Sequence, residues 1–543
     1  MAWTALIGAA MRVGFHRRVA RLSDRAYWSR HTGAIQQRQL RRLLHLAQDT
    51  EFGRLHGFRR LLNEPDATLE RAYRAQVPVR DYEGFREWMA RMREAGEPDV
   101  TWPDTVRDFA QTSGTTSGDK YMPVSKQLLA HNRKASFDIF CHAARRGLSL
   151  PGLFGGKLLF LGGSSNLEVN EAGVRTGDLS GVVTPLIRWP LTEVYQPGKQ
   201  IALMSHWPTK IDAMARSCLD HDVRAVFGMA SWGLVLFERV LELARERGDG
   251  AASLSEVWPG LRLFVHGGVR YDPFEPRVRE AWSGARGEDV PNRLEVYPAS
   301  EAFVAMQDEP GDPGLRLCAD HGVYFEFVPL EEIASERPRA FNAMEVEPGQ
   351  RYVVVLSTPG GLWRYILGDV VVFETVPTGD GSGGPARLRI VGRHRHFINA
   401  FGENIIVENI ERAVVAAMKE TGAAPGEFTA GPVYPDASRG RKPGLELVIE
   451  WEEGAETLEP FTRAFDRALR AESVDYGVKR TDDLGMGPPT VTPVAIGAFH
   501  RWMESRGKLG GQHKCPRCAN HREYIEGVVA TAAARGEVRT AEP

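Results

Sequence analysis

Apolar positions recur along this chain with two periods, and the period changes from segment to segment. Leu40, Leu43, Leu44 and Ala47 fall on one helical face, and residues 1 to about 100 read mostly helical up to and beyond the polar "DTEFGRLHG" break. After them the pattern shortens. "VRDFA" is a short apolar-leaning run that can be a strand, "YMPVSKQLLAHNRKASFDIF" turns into an amphipathic helix, and "KLLFLGGSSN" is an apolar run ended by glycine and serine. Strand, loop, helix, strand is an α/β signature. "VRAVFGMASWGLVLFERVLELARER" repeats the logic, with Leu236, Val240 and Leu243 on one helix face, and "LRLFVHGGVRYDP" gives another strand ended by Gly267-Gly268. A strand followed by a glycine turn, met three times, predicts loops gathered at the carboxyl ends of sheet strands, where α/β proteins place ligands. "GVRTGDLSGVV", between them, reads on composition as a surface loop, although its small residues could also line a pocket.

"RYVVVLSTPGGLWRYILGDVVVFETV" reads as two strands around Pro359-Gly360-Gly361, with Asp369 just before the second apolar run. "PTGDGSGGPA" is a flexible loop by composition. Beyond it the character changes: Val407, Ile410, Val414 and Met418 mark a new amphipathic helix after Gly402. Strands "EFTAGPVY" and "LELVIEW" follow, then a helix with Phe461, Phe465 and Leu469 on one face, strand "PTVTPVAI" and a helix near "FHRWMES". That order suits a small α+β domain with "GRHRH" as its hinge. The expected division is an N-terminal ATP- and acyl-binding domain over 1–392, a hinge over 393–396 and a mobile C-terminal domain over 397–543.

Length agrees, since 543 residues exceed one compact core. Lys+Arg 68 against Asp+Glu 70 leaves a net charge of -2, so no global field calls for nucleic acid or an anionic membrane. Five scattered cysteines argue against a disulfide scaffold and for a reducing, cytoplasmic compartment. The apolar head "MAWTALIGAAM" precedes its basic residues, the reverse of a secretory signal, and no later stretch has ~18 uninterrupted apolar residues. An interfacial helix is the minor alternative, because Arg12, Arg17, Arg18 and Arg21 follow that head.

The chemistry starts at Gln111-Thr112-Ser113-Gly114-Thr115-Thr116-Ser117-Gly118-Asp119-Lys120. Two glycines, the Ser/Thr hydroxyls and a terminal lysine make a plausible phosphate loop, because glycine lets consecutive N–H groups converge on an anion and the side chains add donors and charge. A plain polar turn is the competing reading. It is not the Walker pattern: three residues separate Gly114 from Gly118, and Tyr121 stands where Ser or Thr would hold magnesium. Tyr297, Ser300 and Glu301 end the apolar run of "RLEVYPASEAFVAM"; a single carboxylate beside bound phosphates is a common way to hold Mg²⁺, and a solvated Glu is the alternative. Asp369 can accept from both hydroxyls of a ribose or serve as a strand-end turn residue. In "SRGKLGGQHKCPRCAN", Lys508 and Lys514 flank two glycines, which suits a loop delivering a cation, while Cys515 and Cys518 have zinc-knuckle spacing without a second pair at a suitable distance.

In order, these segments resemble the acyl-adenylate-forming superfamily that includes firefly luciferase. In detail they look most like the Gretchen Hagen acyl-acid amido synthetases, first met in plants. "TSGTTSGDKYMPVS", "GDLSG", "GMASWGLVLFERV", "YPASEA", "WRYILGDVV" and "GGQHKCPRC" carry the likeness, from about residue 110 to the C-terminus. The resemblance implies a large N-terminal α/β domain of sheets flanked by helices with a small α+β C-terminal domain. It also implies a two-step ligase: ATP and a carboxylic acid give an acyl-adenylate and pyrophosphate, and an amino acid amine then displaces AMP. Thr112, Ser113, Gly114, Thr115, Thr116 and Lys120 would cradle ATP phosphates and Glu301 would meet Mg²⁺. Tyr297 and Ser300 would lie beside adenine and the acyl group, Asp369 would bind ribose, and Lys514 would contact the adenylate oxygens. Met229, Trp232, Gly267 and Gly268 would border the acyl substrate, and Arg393 and Arg395 would form the hinge. Two positions depart from the family: its Tyr-Arg-x-Gly-Asp segment reads Tyr365-Ile366-Leu367-Gly368-Asp369, with Arg364 nearby, and Asn404 stands where relatives often have lysine. An acyl- or aryl-CoA ligase and a non-catalytic nucleotide-binding relative are the alternative functions. The acid, the amine and the oligomeric state are not written in the sequence.

Overall fold

The computed structural model describes residues 3–536 apart from 113–119, 163–166, 205, 269, 270, 273, 395, 396, 399–404, 435–441, 443, 453, 474, 475, 478, 479, 481–485, 507–513 and 520. Its contacts divide into two compact units: Met1–Leu367 with Val371–Arg389 and Gly510–Gln512, and Ile390–Leu509 with His513–Pro543 and Gly368–Val370.

The first unit is built on strands β1 (Asp108–Thr112), β2 (Lys120–Pro123), β3 (Lys157–Phe160), β4 (Glu168–Val169), β5 (Arg175–Gly177), β6 (Tyr195–Gln196), β7 (Val223–Gly228), β8 (Leu263–Gly267), β9 (Arg293–Pro298), β10 (Phe303–Gln307), β11 (Leu315–Leu317), β12 (Tyr324–Pro329), β13 (Arg351–Ser357), β14 (Tyr365–Thr375) and β15 (Arg387–Arg393), except that Gly368–Val370 of β14 and the end of β15 from Ile390 are grouped with the second unit. Eleven of them form one sheet in the order β12-β13-β14-β15-β11-β10-β9-β8-β7-β3-β6, and β2-β1-β5-β4 form a second. The run β9-β8-β7-β3-β6 is parallel. Its strands read as near-continuous apolar runs because both faces are covered. Leu158, Ala225, Leu263 and Val265 enter one core with Phe140 and Phe154; Leu159, Val226 and Phe264 enter the opposite core with Phe237 and Trp258. Neighbouring residues of one strand thus serve different cores, as the pleat requires. The helix Lys126–Arg145 supplies Phe140 to the first core, and the helix Ala230–Arg247 supplies Phe237 to the second.

Three expectations change here. The glycine loop does not run directly into a helix: it returns into β2, which pairs antiparallel with β1 before Ser125 caps the helix Lys126–Arg145 through Leu128 N–H. β2 is four residues long and ends in Pro123, tolerated because β2 is a sheet edge. "GVRTGDLSGVV" is ordered rather than a surface loop: β5 pairs parallel with β1, and Asp178 caps the helix Leu179–Val183 through Ser180 N–H. Asp369 lies inside β14 rather than before a strand, since that strand starts at Tyr365. Gly368, at φ +97°, adopts the left-handed backbone just ahead of it.

The second unit contains β16 (Phe397–Ile398), β17 (Ile405–Ile406), β18 (Phe428–Val433), β19 (Gly444–Glu450) and β20 (Thr490–Val494). β18 pairs antiparallel with β19, and β19 parallel with β20. The helices Val407–Thr421 and Ala455–Glu472 cover one face, packing Ile410, Val414, Phe461, Phe465 and Leu469 on Phe428, Leu447 and Ile449. The helices Ala498–Ser505 and Glu523–Ala533 cover the other, with Trp502, Ile525 and Val528 on Val448 and Val494. Cys518 pairs in parallel with Ala430, so the tail adds to the edge of β18. Ala430 N–H donates to Arg517 O at 2.9 Å and Ala519 N–H to Ala430 O at 3.0 Å.

Candidate active site

The carboxyl ends of the parallel strands gather much of the expected site. Phe160 is in register with Phe227, Gly228 with His266, and Gly267 with Val296. The residues that follow these positions therefore emerge along one edge: Met229 after β7, Gly267 and Gly268 at the end of β8, Tyr297 near the end of β9, and Ser300 and Glu301 in the turn to β10. Trp232 lies one turn into the helix that Met229 caps, partly buried against the core behind it. Gly267 is required by packing, because a Cβ there would stand 2.2 Å from Val296 O. Gly268 takes φ +78°. Tyr297, Ser300 and Glu301 are all buried.

The turn bearing Ser300 and Glu301 is tight: Ala299 N–H donates to Ala302 O at 2.9 Å, and Phe303 returns opposite Pro298. Phe303 N–H then donates to Nε2 of His131 at 2.8 Å, and His131 Nδ1 bonds His321 O at 3.0 Å. Burial, aided by repulsion from His321, pushes the His131 imidazole down to about 3, so it is neutral with its proton on Nδ1.

Thr112 and Lys120 face each other across the base of the β1–β2 hairpin. Ser113, Gly114, Thr115 and Thr116 lie outside the described residues. Lys120 Nζ stands 5.9 Å from the centre of the Tyr82 ring, and Tyr82 Oη accepts from Tyr121 N–H at 2.9 Å. Tyr82 comes from the N-terminal helical stretch, which the sequence reading left without a chemical role. Lys210, on the helix Trp207–Leu219, braces the end of β3. Its ammonium donates to Gly162 O at 3.1 Å, just past β3, and to Ala202 O at 2.8 Å, and burial lowers it to about 8 with Asp178 opposing. A lone tyrosine, lysine or histidine carries no sequence signal of such long-range contacts.

The remaining expected residues belong to the second unit. Arg393 Nε donates to Asp369 Oδ1 at 2.6 Å, and His394 N–H to Gly368 O at 2.9 Å. Lys514 begins the tail segment laid along β18. Burial pushes its ammonium down to about 8, with repulsion from Arg393 and Arg517 adding to the shift and Asp369 and Glu427 opposing it. Thr429 Oγ1 donates to Pro516 O at 2.6 Å, and Arg517 pairs with Glu427 at 2.6 Å, which fixes the backbone carrying Lys514. Cys518 fills one core of the unit while Cys515 packs against the other, and burial raises both thiols, that of Cys515 to about 12. Arg395 and Lys508 lie outside the described residues. Arg364 is no substitute for the family arginine: it is buried, at φ +47°, donates to Glu326 Oε2 at 2.9 Å and to Arg74 O and Val77 O, and so serves the packing of unit one.

Glu301 suits a magnesium ion: it is one buried carboxylate next to Ser300 at the carboxyl edge of the parallel strands, and Mg²⁺ takes one or two carboxylates with substrate phosphates and waters. Among the described residues, Asp138, Asp320 and His321 form the group close enough to hold a metal, and Arg18 already sits in it, donating to Asp320 Oδ2 at 2.7 Å and Asp138 Oδ1 at 2.8 Å.

A parallel sheet covered on both faces, a glycine-loop hairpin beside it and a small α/β unit carrying a late lysine define the acyl-adenylate-forming fold. The solved structure of 2-hydroxyisobutyryl-CoA ligase in its postadenylation state shares that fold at a TM-score of 0.51 and 17% identity, over 92% of this chain and 91% of that one. More particularly, models of the GH3 family N-terminal, central and C-terminal domains match residues 25–193, 316–380 and 408–523, and the chain belongs to the GH3 family. GH3.15 acyl acid amido synthetase superposes at a TM-score of 0.75 with 18% identity, covering 96% of each chain. Indole-3-acetic acid-amido synthetase GH3.8 of Oryza sativa subsp. indica is 24% identical over 91% of this chain and 89% of its own length. Jasmonoyl--L-amino acid synthetase JAR4 of Nicotiana attenuata is 23% identical over 90% and 92%.

Proposed function

We propose that this protein is an ATP-dependent acyl-acid amido synthetase: it adenylates a carboxylic acid and passes the acyl group to an amino acid amine. The observation that carries the reading is the placement of Tyr297, Ser300 and Glu301 at the carboxyl edge of the parallel strands, in a chain whose residues 25–193, 316–380 and 408–523 match models of the GH3 family. The relatives named for indole-3-acetic acid and for jasmonoyl–amino acid conjugation favour a small organic acid and an amino acid as substrates here too.

In the first step a carboxylate oxygen bonds to the α-phosphorus as the bond to pyrophosphate breaks. Negative charge grows on the equatorial oxygens and the leaving group, so the chain must aim donors and cations at them. Thr112, Lys120 and the loop they close supply donors from one side, and Lys514 a cation. Bound at Glu301, Mg²⁺ would neutralise phosphate charge. Asp369 accepts from the ribose hydroxyls, and Tyr297 and Ser300 border adenine and the acyl group. Met229, Trp232, Gly267 and Gly268 border the acid. In the second step the amine attacks the acyl carbon, AMP leaves with the bonding electrons, and the ammonium proton passes to solvent. Movement of the C-terminal unit about 393–396 would withdraw Lys514 and admit the amine, a gating role. Among the described residues no helix is long and apolar enough to cross a membrane, and a cytoplasmic site of action belongs to the same proposal.

Incubation with ATP, Mg²⁺ and a panel of aryl and indolyl acids, following pyrophosphate, tests the reading. Sustained release that requires an amino acid supports it. Release that requires CoA makes the protein a CoA ligase, and ATP binding without release makes it a non-catalytic relative.

A further inference from the structure

The turn that carries Ser300 and Glu301 is held from outside its own hairpin. Its first strand residue after the turn, Phe303, donates its backbone N–H to His131 Nε2 at 2.8 Å. A bulge follows between Phe303 and Ala305, so the ordinary β9–β10 ladder is irregular where the imidazole takes over. His131 stands on the helix Lys126–Arg145, which starts only three residues after β2 ends. The same short length of chain therefore carries Lys120 and the residue that grips the Ser300–Glu301 turn.

His131 is itself fixed. Its Nδ1–H donates to His321 O at 3.0 Å, and His321 Nε2 bonds Asp138 Oδ2 at 2.8 Å. Asp138 is paired with Arg18, which also holds Asp320, and Lys134 Nζ reaches Asp320 at 3.1 Å. His131, Asp138 and His321 are buried, Arg18 and Asp320 partly so, and Lys134 keeps 41% of its side chain exposed; the bonds to His131 on both ring nitrogens fix the orientation of its ring. An imidazole in the Nδ1–H tautomer is suited to the place, since it offers one donor and one acceptor at opposite sides of a rigid ring.

We propose that His131 is a positioning residue that ties the Ser300–Glu301 turn to the helix following β2, so that Glu301 and Lys120 keep a fixed spacing. This rests on the assignment of Glu301 and Lys120 to the ATP phosphate site. His131 touches no substrate; it acts through the Phe303 backbone.

Two substitutions separate positioning from packing. Asn at 131 keeps a donor where Nδ1–H stands and loses the acceptor for Phe303 N–H; Gln places an amide oxygen where Nε2 stands and keeps that acceptor. ATP affinity is read by calorimetry with and without Mg²⁺, together with the melting temperature, for wild type, His131→Asn, His131→Gln and Glu301→Gln. The expected result is a loss of about 3- to 10-fold in Mg²⁺-dependent ATP affinity for His131→Asn, the scale of one backbone hydrogen bond, with His131→Gln close to wild type. Equal affinity in wild type and His131→Asn, or equal losses in the Asn and Gln variants, overturns the positioning role. If wild type binds ATP but Glu301→Gln leaves its Mg²⁺ dependence unchanged, the assignment of Glu301 fails, and with it the role drawn from it. If wild type binds no ATP, the adenylation reading fails and so does the inference.

Discussion

At the scale of single residues, Lys514 has the most exposed consequence. Its ammonium titrates at about 8, lowered by burial and by Arg393 and Arg517, so its charge is present below that pH and is lost above it. Adenylation, measured by pyrophosphate release, is expected to fall as pH rises through about 8, and Lys514→Arg to move that fall upward, because guanidinium keeps its proton. Lys514→Ala should lower the rate by ~10²-fold or more, as loss of a transition-state cation does. A second residue-scale prediction concerns Glu326, fully buried between Arg364 and Arg74 at 2.9 and 3.2 Å. Glu326→Gln leaves buried positive charge uncompensated and is expected to cost about 3 kcal/mol in urea unfolding. The KM for ATP should not change, since Arg364 packs the first unit rather than contacting nucleotide.

At the scale of elements, what the sequence made legible follows the strength of its periodicity. The helix bearing Phe461, Phe465 and Leu469 spans 18 residues with one apolar face, and it forms at Ala455–Glu472. The strand end at Gly267 is legible because an apolar run stops at a glycine pair, and the end of β9 because its apolar run gives way at Tyr297, Ser300 and Glu301. β2 was not, since four residues ending in proline carry too few positions to show a period, and it exists through pairing with β1. The partners of the site were hidden for another reason: Tyr82 and His131 reach it across 39 and 172 positions of chain, as the contacts with Tyr121 and Phe303 show, and such separations leave no local pattern. The expectation that β8 ends in functional glycines leads to a test. Gly267→Ala would place a methyl against the backbone of β9 at Val296, and it is expected to destabilise the protein by ~1–3 kcal/mol, read as a lower melting temperature.

At the scale of the whole molecule, the two units have separate cores and need not respond alike to pH. In the second, Glu450 ties the end of β19 to its surroundings, accepting from Glu427 N–H and Phe499 N–H at 3.2 Å each. Burial, with the charge of Glu427, raises its carboxyl from 4.5 to about 7. The folded state therefore holds this proton more tightly than the unfolded chain does. Its stabilising contribution is complete below pH 4.5 and is lost as pH rises through about 7, on the order of 3 kcal/mol in all. Glu450→Gln should flatten that dependence and raise stability at pH 8. Scanning calorimetry should show the shift in one unfolding transition while the other, from the first unit, stays in place.

The pairing of Thr112 with Lys120 has a practical consequence for altering the enzyme. Positions 113–119 lie between two residues that face each other, and the register of β2 on β1 is set by the four pairs from Phe109 with Pro123 to Thr112 with Lys120. A one-residue slip of β2 along β1 would turn every side chain of β2 to the opposite face. Lys120 would then leave its place 5.9 Å from the Tyr82 ring centre, whereas the cap of Ser125 on Leu128 N–H is local to the helix that follows and would survive. Variants of residues 113–119, in identity or in length, are therefore expected to keep the wild-type melting temperature as long as this register holds, whereas substitutions at Phe109 or Met122 in the paired strands are expected to lower it.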